Sequence, residues 1–291
     1  MAQNRAQFHS KRTYLKLISN HMDAWQVALV VASLPLIIHR AIQGETAVLV
    51  LAIGVGYWFA FVLNDFFDAP FDALDQQKAR RNFFVQVPVS GWVMVLFSMA
   101  LLAGIGGAYA QFGLWGWLFW AISCFIAWAY SAPPLRLKMR PGLDLITHTL
   151  FVQTFPYVVS LVLIQAGWSL LDWMLLIILS LASLTAQLEQ QVRDFVVDLR
   201  SGSTFTTWVG RERVVRGLRW VTAVCLLVAL ISVLTGTIPW FLLPFGLIGL
   251  PALLHRFWRR PETPRSERLV LLSTTAGFLY AGFIFCYFLL S

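Results

Sequence analysis

Nine apolar stretches follow one another along the chain, at 22–42, 46–63, 88–108, 111–130, 143–165, 171–191, 214–235, 238–255 and 269–290. A helix rises about 1.5 Å per residue and needs roughly 20 apolar residues to cross a bilayer core. The pattern therefore predicts an all-α, polytopic membrane protein with nine transmembrane helices. Charged residues gather in the stretches between the runs, and no linker, low-complexity tract or soluble domain interrupts the series. Residues 1–291 read as a single membrane domain.

The placement of positive charge tests that span count independently. If the nine runs alternate in direction, all but Arg40 of the 22 Lys and Arg residues fall on one side. A missed or invented span would invert every later loop. Because Lys and Arg favour cytoplasmic loops, the amino terminus is expected in the cytoplasm and the carboxyl terminus outside. The same bias accounts for the net charge of +8, so no nucleic-acid partner is expected. Composition agrees, with 58% of the 291 residues hydrophobic, 12% charged and a mean hydropathy of +0.70. One soluble core could not hide that much apolar surface. Cys124, Cys225 and Cys286 sit singly in apolar runs, without metal or disulfide spacing, and read as packing residues. The basic first twenty residues lack the apolar core of a cleavable signal, so insertion is expected to begin with the first run.

Against this background acid is concentrated rather than spread. Of fourteen Asp and Glu residues, six lie in two places: Asp65, Asp68, Asp72 and Asp75 after the second run, and Asp194 and Asp198 after the sixth. Asn64, Asp68 and Asp72 are spaced i, i+4, i+8, and Asp194 and Asp198 i, i+4, so on continuous helix each set projects from one face. Pro70 predicts a helix end or kink between Asp68 and Asp72. Gln187, Gln190 and Gln191 stack a turn or two before Asp194 and extend its polar stripe inward, and Glu189 and Arg193 are spaced as an i, i+4 ion pair. Asp75 alone reads as a helix-end acid facing water.

Carboxylates about 6 Å apart repel by about 3 kcal/mol at an effective dielectric near 20, a cost that a divalent cation removes. Oxygen donors without histidine or thiolate favour Mg²⁺ or Ca²⁺, and Mg²⁺ commonly completes its shell with water and substrate phosphate. Two acidic clusters facing one another across a bundle thus fit a holder for Mg²⁺ and a diphosphate. Between them lies YSAPPLRLKMRPGLD, residues 130–144, where Pro133, Pro134 and Pro141 forbid regular helix. This loop offers Arg136, Lys138 and Arg140 on the acidic side, placed to neutralise a departing diphosphate. Taken singly, each of the three also satisfies the positive-inside rule.

These residues together resemble the UbiA superfamily of intramembrane prenyltransferases. NDFFDAPFD fits that family's N-D-x-x-D-x-x-x-D, DFVVDLRSG fits its D-x-x-x-D-x-x-x-G, and YSAPPLRLK is similar to its tyrosine-containing loop. The resemblance implies a helical bundle around a central cavity, a cytoplasmic cap of acidic and basic loops, and a lateral opening to lipid. It implies that Asn64, Asp68, Asp72, Asp194 and Asp198 hold Mg²⁺ on a prenyl diphosphate, with Asp65 as a supporting acid. Asp68, Asp72, Asp194 and Asp198 are then the catalytic acids, and Tyr130, Ser131, Arg136 and Lys138 contact the diphosphate. Arg140, in the same loop, and Arg193 and Arg200, each neighbouring motif aspartates, join this expected diphosphate set. The implied reaction passes a prenyl group to a lipophilic acceptor through an allylic cation sheltered by aromatic rings. Aromatic residues are 15% of the chain.

The acceptor is less sharply indicated. YSAPPLRLK is closer to the branch of chlorophyll synthases and lycopene elongases, and DALDQQKARRNFF departs from the segment common in quinone and chlorophyll branches. A carotenoid such as lycopene is the first expectation; an aromatic quinone precursor, chlorophyllide or a glycerol phosphate lipid are alternatives. His148, Gln153 and Tyr157 in the fifth run, with Gln187 and Gln190, are candidate acceptor contacts, although interhelical hydrogen bonding is a common role for such residues. An ion-coupled transporter predicts acids near mid-membrane, whereas these lie at run ends. A CDP-alcohol phosphatidyltransferase would carry D-G-x-x-A-R, which is absent.

Overall fold

In hydrocarbon an unpaired backbone polar group costs several kcal/mol, so a chain this apolar closes its hydrogen bonds within helices. The computed structural model describes residues 14, 17–201, 203–260 and 266–290, and among these there is no strand. The helices are α1 (Met22–Ile38), α2 (Gly44–Asp72), α3 (Gln76–Arg81), α4 (Phe83–Gln86), α5 (Gly91–Ala110), α6 (Gly113–Ser131) and α7 (Leu143–Thr149). A π turn, Leu150–Thr154, carries α7 into α8 (Phe155–Leu163). Then come α9 (Leu170–Ser201), α10 (Phe205–Val209), α11 (Arg211–Leu234), α12 (Leu243–Trp258) and α13 (Glu267–Leu290).

Among the described residues, eight helical segments are long and apolar enough to cross a membrane: α2, α5, α6, α7 with α8, α9, α11, α12 with its preceding turn, and α13. The first expected span coincides with α1, an apolar helix of 17 residues that is shorter than the other eight, so the count of nine is not matched by length. Helices α2 and α9 run well past the ends of their apolar stretches, so both acidic motifs sit on helix. Of the helix end or kink expected between Asp68 and Asp72, the end does not occur. Pro70 lies in the last turn, α2 continues to Asp72, and Ala73 N bonds back to Ala69 O at 3.0 Å. Asn64, Asp68 and Asp72 therefore share one face.

The bundle closes on itself. Helix α1 packs against α2, α8 and α13; α2 meets α5 and α6; α9 meets α7 and α11; and α12 joins α11 to α13. One buried cluster, including Leu36, Leu49, Ile53, Tyr109 and Val159, ties α1, α2, α5 and α8 together. Small residues set the approach of helices here, as membrane packing favours. A Cβ on Gly54 would meet Leu29 Cδ2 at 2.5 Å, and one on Gly116 would meet the Tyr109 carbonyl oxygen at 1.8 Å. Gly116→Ala should accordingly force α5 and α6 apart and cost roughly 2–3 kcal/mol, read as a lower unfolding midpoint in detergent. Gly104→Ala, with open space around its Cβ, is the control and should leave the midpoint nearly unchanged.

Two further clusters position the acidic helix ends. Phe83 and Phe84 fold the segment after α2 back onto Phe59 and Val62. Leu188 and Val192 of α9 pack on Val214, Val215 and Leu218 of α11.

Candidate active site

On α2 the residues Ile53, Gly56, Tyr57, Ala60, Phe61, Asn64, Asp68, Phe71 and Asp72 recur every three or four positions and line a single cavity of about 300 Å³. Gln187, Gln190, Gln191, Asp194 and Asp198 of α9 line the facing wall. Both acidic motifs thus open on one space. The loop after α6 covers it with Arg136 and Lys138, and Tyr130 and His148 also face it.

The first motif is tightly engaged with that loop. Asp68 Oδ2 accepts from Lys138 Nζ at 2.5 Å, and its Oδ1 accepts from Arg136 at 2.9 Å. Asn64 Oδ1 accepts from Lys138 Nζ at 2.7 Å and from Ser131 Oγ at 2.9 Å, while its amide donates to Asp68 at 3.1 Å. Arg136 holds a left-handed backbone, φ 40°, and its guanidinium lies 4.1 Å from the centre of the Phe71 ring. Burial pushes the Lys138 ammonium below its ordinary pKa, and the adjoining Asp68 carboxylate pulls it back up. A cation in that position gains strongly from any further negative charge.

Asp72 is steadied from behind by Asn82, whose amide donates to Asp72 Oδ2 at 2.9 Å and to the Asp65 carbonyl at 2.8 Å. Across the cavity Arg193 donates to Asp194 at 2.9 Å and to Glu267 at 2.8 Å, and Asp198 accepts from Thr204 Oγ1 at 3.5 Å. Lys78 lines the cavity and acts electrostatically on both Asp72 and Asp198, linking the two motifs.

A buried carboxylate fixes the second motif to α7. Asp144 accepts from Leu145 N at 2.8 Å, from Gln191 Nε2 at 2.6 Å and from Phe205 N at 2.9 Å. Gln191 Oε1 in turn accepts from Thr206 N and Oγ1. The segment after α9 is thereby held under the cavity mouth.

Away from the acids the cavity is apolar, with Tyr57, Phe61, Tyr109, Phe151 and Phe155 around it. Tyr57 donates its hydroxyl to the Phe151 carbonyl in the π turn. The buried Gln187 Oε1 atom has no partner among the described residues, leaving an open acceptor on the cavity wall.

Several expected site residues stand elsewhere. Asp65 turns to α1 and bonds His21 at 2.9 Å, while Ser131 reaches the site only through Asn64. Arg140 is exposed and donates to the Pro134 carbonyl at 3.4 Å. Arg193 touches the site through Asp194 rather than lining the cavity, Gln153 lies in the π turn outside the lining, and the Arg200 side chain lies outside the described residues. Tyr157 is fully buried and donates to Asp172 at 2.6 Å, in a cluster with His39 and Ser169 remote from both motifs. Its hydroxyl is spent on an interhelical bond. The expected Glu189–Arg193 pair does not form: Glu189 is taken by Arg256 and Arg259, and Arg193 by Asp194 and Glu267. Lys78, Asn82, Asp144 and the cavity rings were not singled out from the sequence as site residues. The α2 rings Phe61 and Tyr57 stand at i−3 and i−7 from Asn64, on the same helix face, whereas Lys78 and Asn82 depend on how a loop folds back.

The donor chemistry fits Mg²⁺. Every acid and amide at the cavity mouth offers oxygen, and no thiolate lines it. Among the described residues no three of His, Cys, Asp or Glu gather as a closed metal cage.

A family model, the UbiA prenyltransferase family, matches residues 24–279. The chain belongs to that family, and it is a membrane-embedded prenyltransferase. A UbiA homologue from Archaeoglobus fulgidus bound to GPP and Mg²⁺ superposes with a TM-score of 0.74 at 19% identity, covering 94% of this chain and 99% of that one. The same homologue bound to DMAPP and Mg²⁺ gives 0.72 at 18% identity, with the same coverage. A lycopene elongase/hydratase from Haloferax volcanii is 36% identical over 94 residues, 32% of this chain and 30% of that protein's length.

Proposed function

We propose that the enzyme transfers a prenyl group from a prenyl diphosphate to a lipophilic acceptor, a carotenoid such as lycopene, with Mg²⁺ held between the two acidic helix ends. The observation that carries this is the convergence of both acidic motifs and a cationic loop over one apolar, ring-lined cavity. The fold neighbours with DMAPP or GPP and Mg²⁺ support the donor, and the partial likeness to a lycopene elongase/hydratase supports the acceptor. The excess of Lys and Arg at the acidic end supports a cytoplasmic position for that end and for the amino terminus.

Asn64, Asp68 and Asp72 on one wall and Asp194 and Asp198 on the other would hold the metal, which supplies charge neutralisation for the diphosphate. Lys138 and Arg136 bind the diphosphate oxygens, exchanging Asp68 for phosphate as partner. As the allylic carbon–oxygen bond breaks, its electron pair leaves with the diphosphate, and these cations stabilise the growing charge. Phe61, Tyr57 and Phe151 face the carbon left positive and exclude water from it. An acceptor double bond then adds to that carbon, and loss of a proton restores neutrality.

The test uses purified enzyme in detergent with Mg²⁺, dimethylallyl or geranylgeranyl diphosphate, and a panel of lycopene, chlorophyllide, quinone precursors and glycerol phosphate lipids. Diphosphate should be released together with a product heavier by whole isoprene units, with lycopene consumed in preference. Chelation should abolish turnover, and Mg²⁺ should restore it. Turnover that survives chelation would end the metal assignment, and consumption of another member of the panel alone would replace the carotenoid.

A further inference from the structure

The second acidic helix has a back face. There Glu189 of α9 is buried, accepting from Arg256 Nε at 2.9 Å and pairing with Arg259 through its other oxygen. Arg256 also donates to Thr222 at 3.3 Å. Arg219 of α11 reaches the same place and donates to the Arg259 carbonyl at 3.3 Å, while its buried Nε has no partner among the described residues. A crevice opens between these groups, lined by Arg219, Arg256, Arg259 and Arg260 with Val192, Val215 and Leu218. Among the described residues, four arginines line this one crevice, and only two of them, Arg256 and Arg259, are paired with the Glu189 carboxylate. A positive-inside bias alone calls for cations in loops; it does not call for their convergence on one partly closed space.

The depth of the crevice identifies what can enter it. Trp220 follows Arg219 and Trp258 precedes Arg259, and these rings are 74% and 79% exposed on membrane-crossing helices. Exposed tryptophan on such helices belongs at headgroup level, so the crevice opens where phospholipid phosphates lie. The crevice is small, about 10 Å³, so a ligand keeps its bulk outside and meets the arginines at the rim. Basic pockets between helices on this side of a membrane recognise anionic headgroups. We propose that this crevice binds the phosphate of an anionic phospholipid in the adjoining leaflet, with Arg219 and Arg260 as the recognising side chains. The site lies on the face of α9 opposite the prenyl-transfer cavity and does not depend on the acceptor.

The test is lipid retention by native mass spectrometry of the full chain, with phosphatidylglycerol or phosphatidylcholine supplied in detergent. The wild-type protein should retain phosphatidylglycerol in preference. The double variant Arg219→Gln, Arg260→Gln leaves Glu189 and its two partners in place and should bind that lipid about thirtyfold more weakly. This corresponds to about fivefold for each arginine, or about 1 kcal/mol per charge at 1.4 kcal/mol per decade. Should the double variant not fold, Arg260→Gln, an exposed single change, should still show the fivefold loss. Equal retention of both lipids, unweakened binding by the variants, or displacement of phosphatidylglycerol by inorganic phosphate would each overturn the proposal, the last by assigning the crevice to a free anion.

Discussion

Asp68→Asn is expected to lower kcat/KM for prenyl transfer by about a thousandfold, the scale on which one preorganised charge partner is lost from a water-poor site. The side chain has two duties that the neutral amide cannot share. It belongs to the set that would hold Mg²⁺, and it orders the cationic loop by accepting from Lys138 and Arg136 together. Asparagine keeps the shape but removes the charge, leaving two cations beside one another with no anion between them.

The kinetic signature separates these duties. Loss of a metal ligand should raise the Mg²⁺ concentration needed for half activity, and extra Mg²⁺ should recover part of the rate. Loss of loop order alone should raise KM for the diphosphate donor without moving the Mg²⁺ midpoint. Asp194→Asn, on the facing wall, should repeat the metal effect without the loop effect, since Asp194 touches Arg193 and not the loop. Full activity in both variants would remove the two acidic helix ends from the reaction.

Much of this site was legible because its signals are local. The apolar runs report spans, and the i, i+4 spacing of Asn64, Asp68 and Asp72 reports one helix face whether or not Pro70 intervenes. What escaped depends on contacts between distant segments. Glu189 has Arg193 one turn away, yet three-dimensional packing gives it Arg256 and Arg259 instead, because its face of α9 meets the end of α12. Tyr157 shares a helical run with His148, but the run crosses the whole bundle, so one serves the cavity and the other a buried bond at the far end. Spacing along one helix assigns a side chain to a face; it does not say how deep along the bundle axis that side chain acts.

The largest stability effect is expected at Asp144, a residue outside the cavity lining. Its carboxylate is fully buried and collects three donors from separate segments: the start of α7, the Gln191 amide on α9 and the first N–H of α10. Alanine would leave all three in apolar surroundings with nothing to accept them. At about 1–3 kcal/mol for each buried donor, some recovered by water or relaxation, the net cost should be about 3–5 kcal/mol. The unfolding midpoint should fall accordingly, and amide exchange should quicken first around α10. Function should follow through geometry, since Gln191 stands one turn before Asp194 and the segment beyond Asp198 hangs from this anchor. Asp144→Asn can still present one oxygen to Gln191 and Phe205 and should lose less than half as much. Combining Asp144→Ala with Gln191→Leu should cost less than the sum of the single changes, because the second removes a donor that the first has orphaned. Strict additivity, or wild-type stability in Asp144→Ala, would show that this carboxylate does not hold the second motif in place.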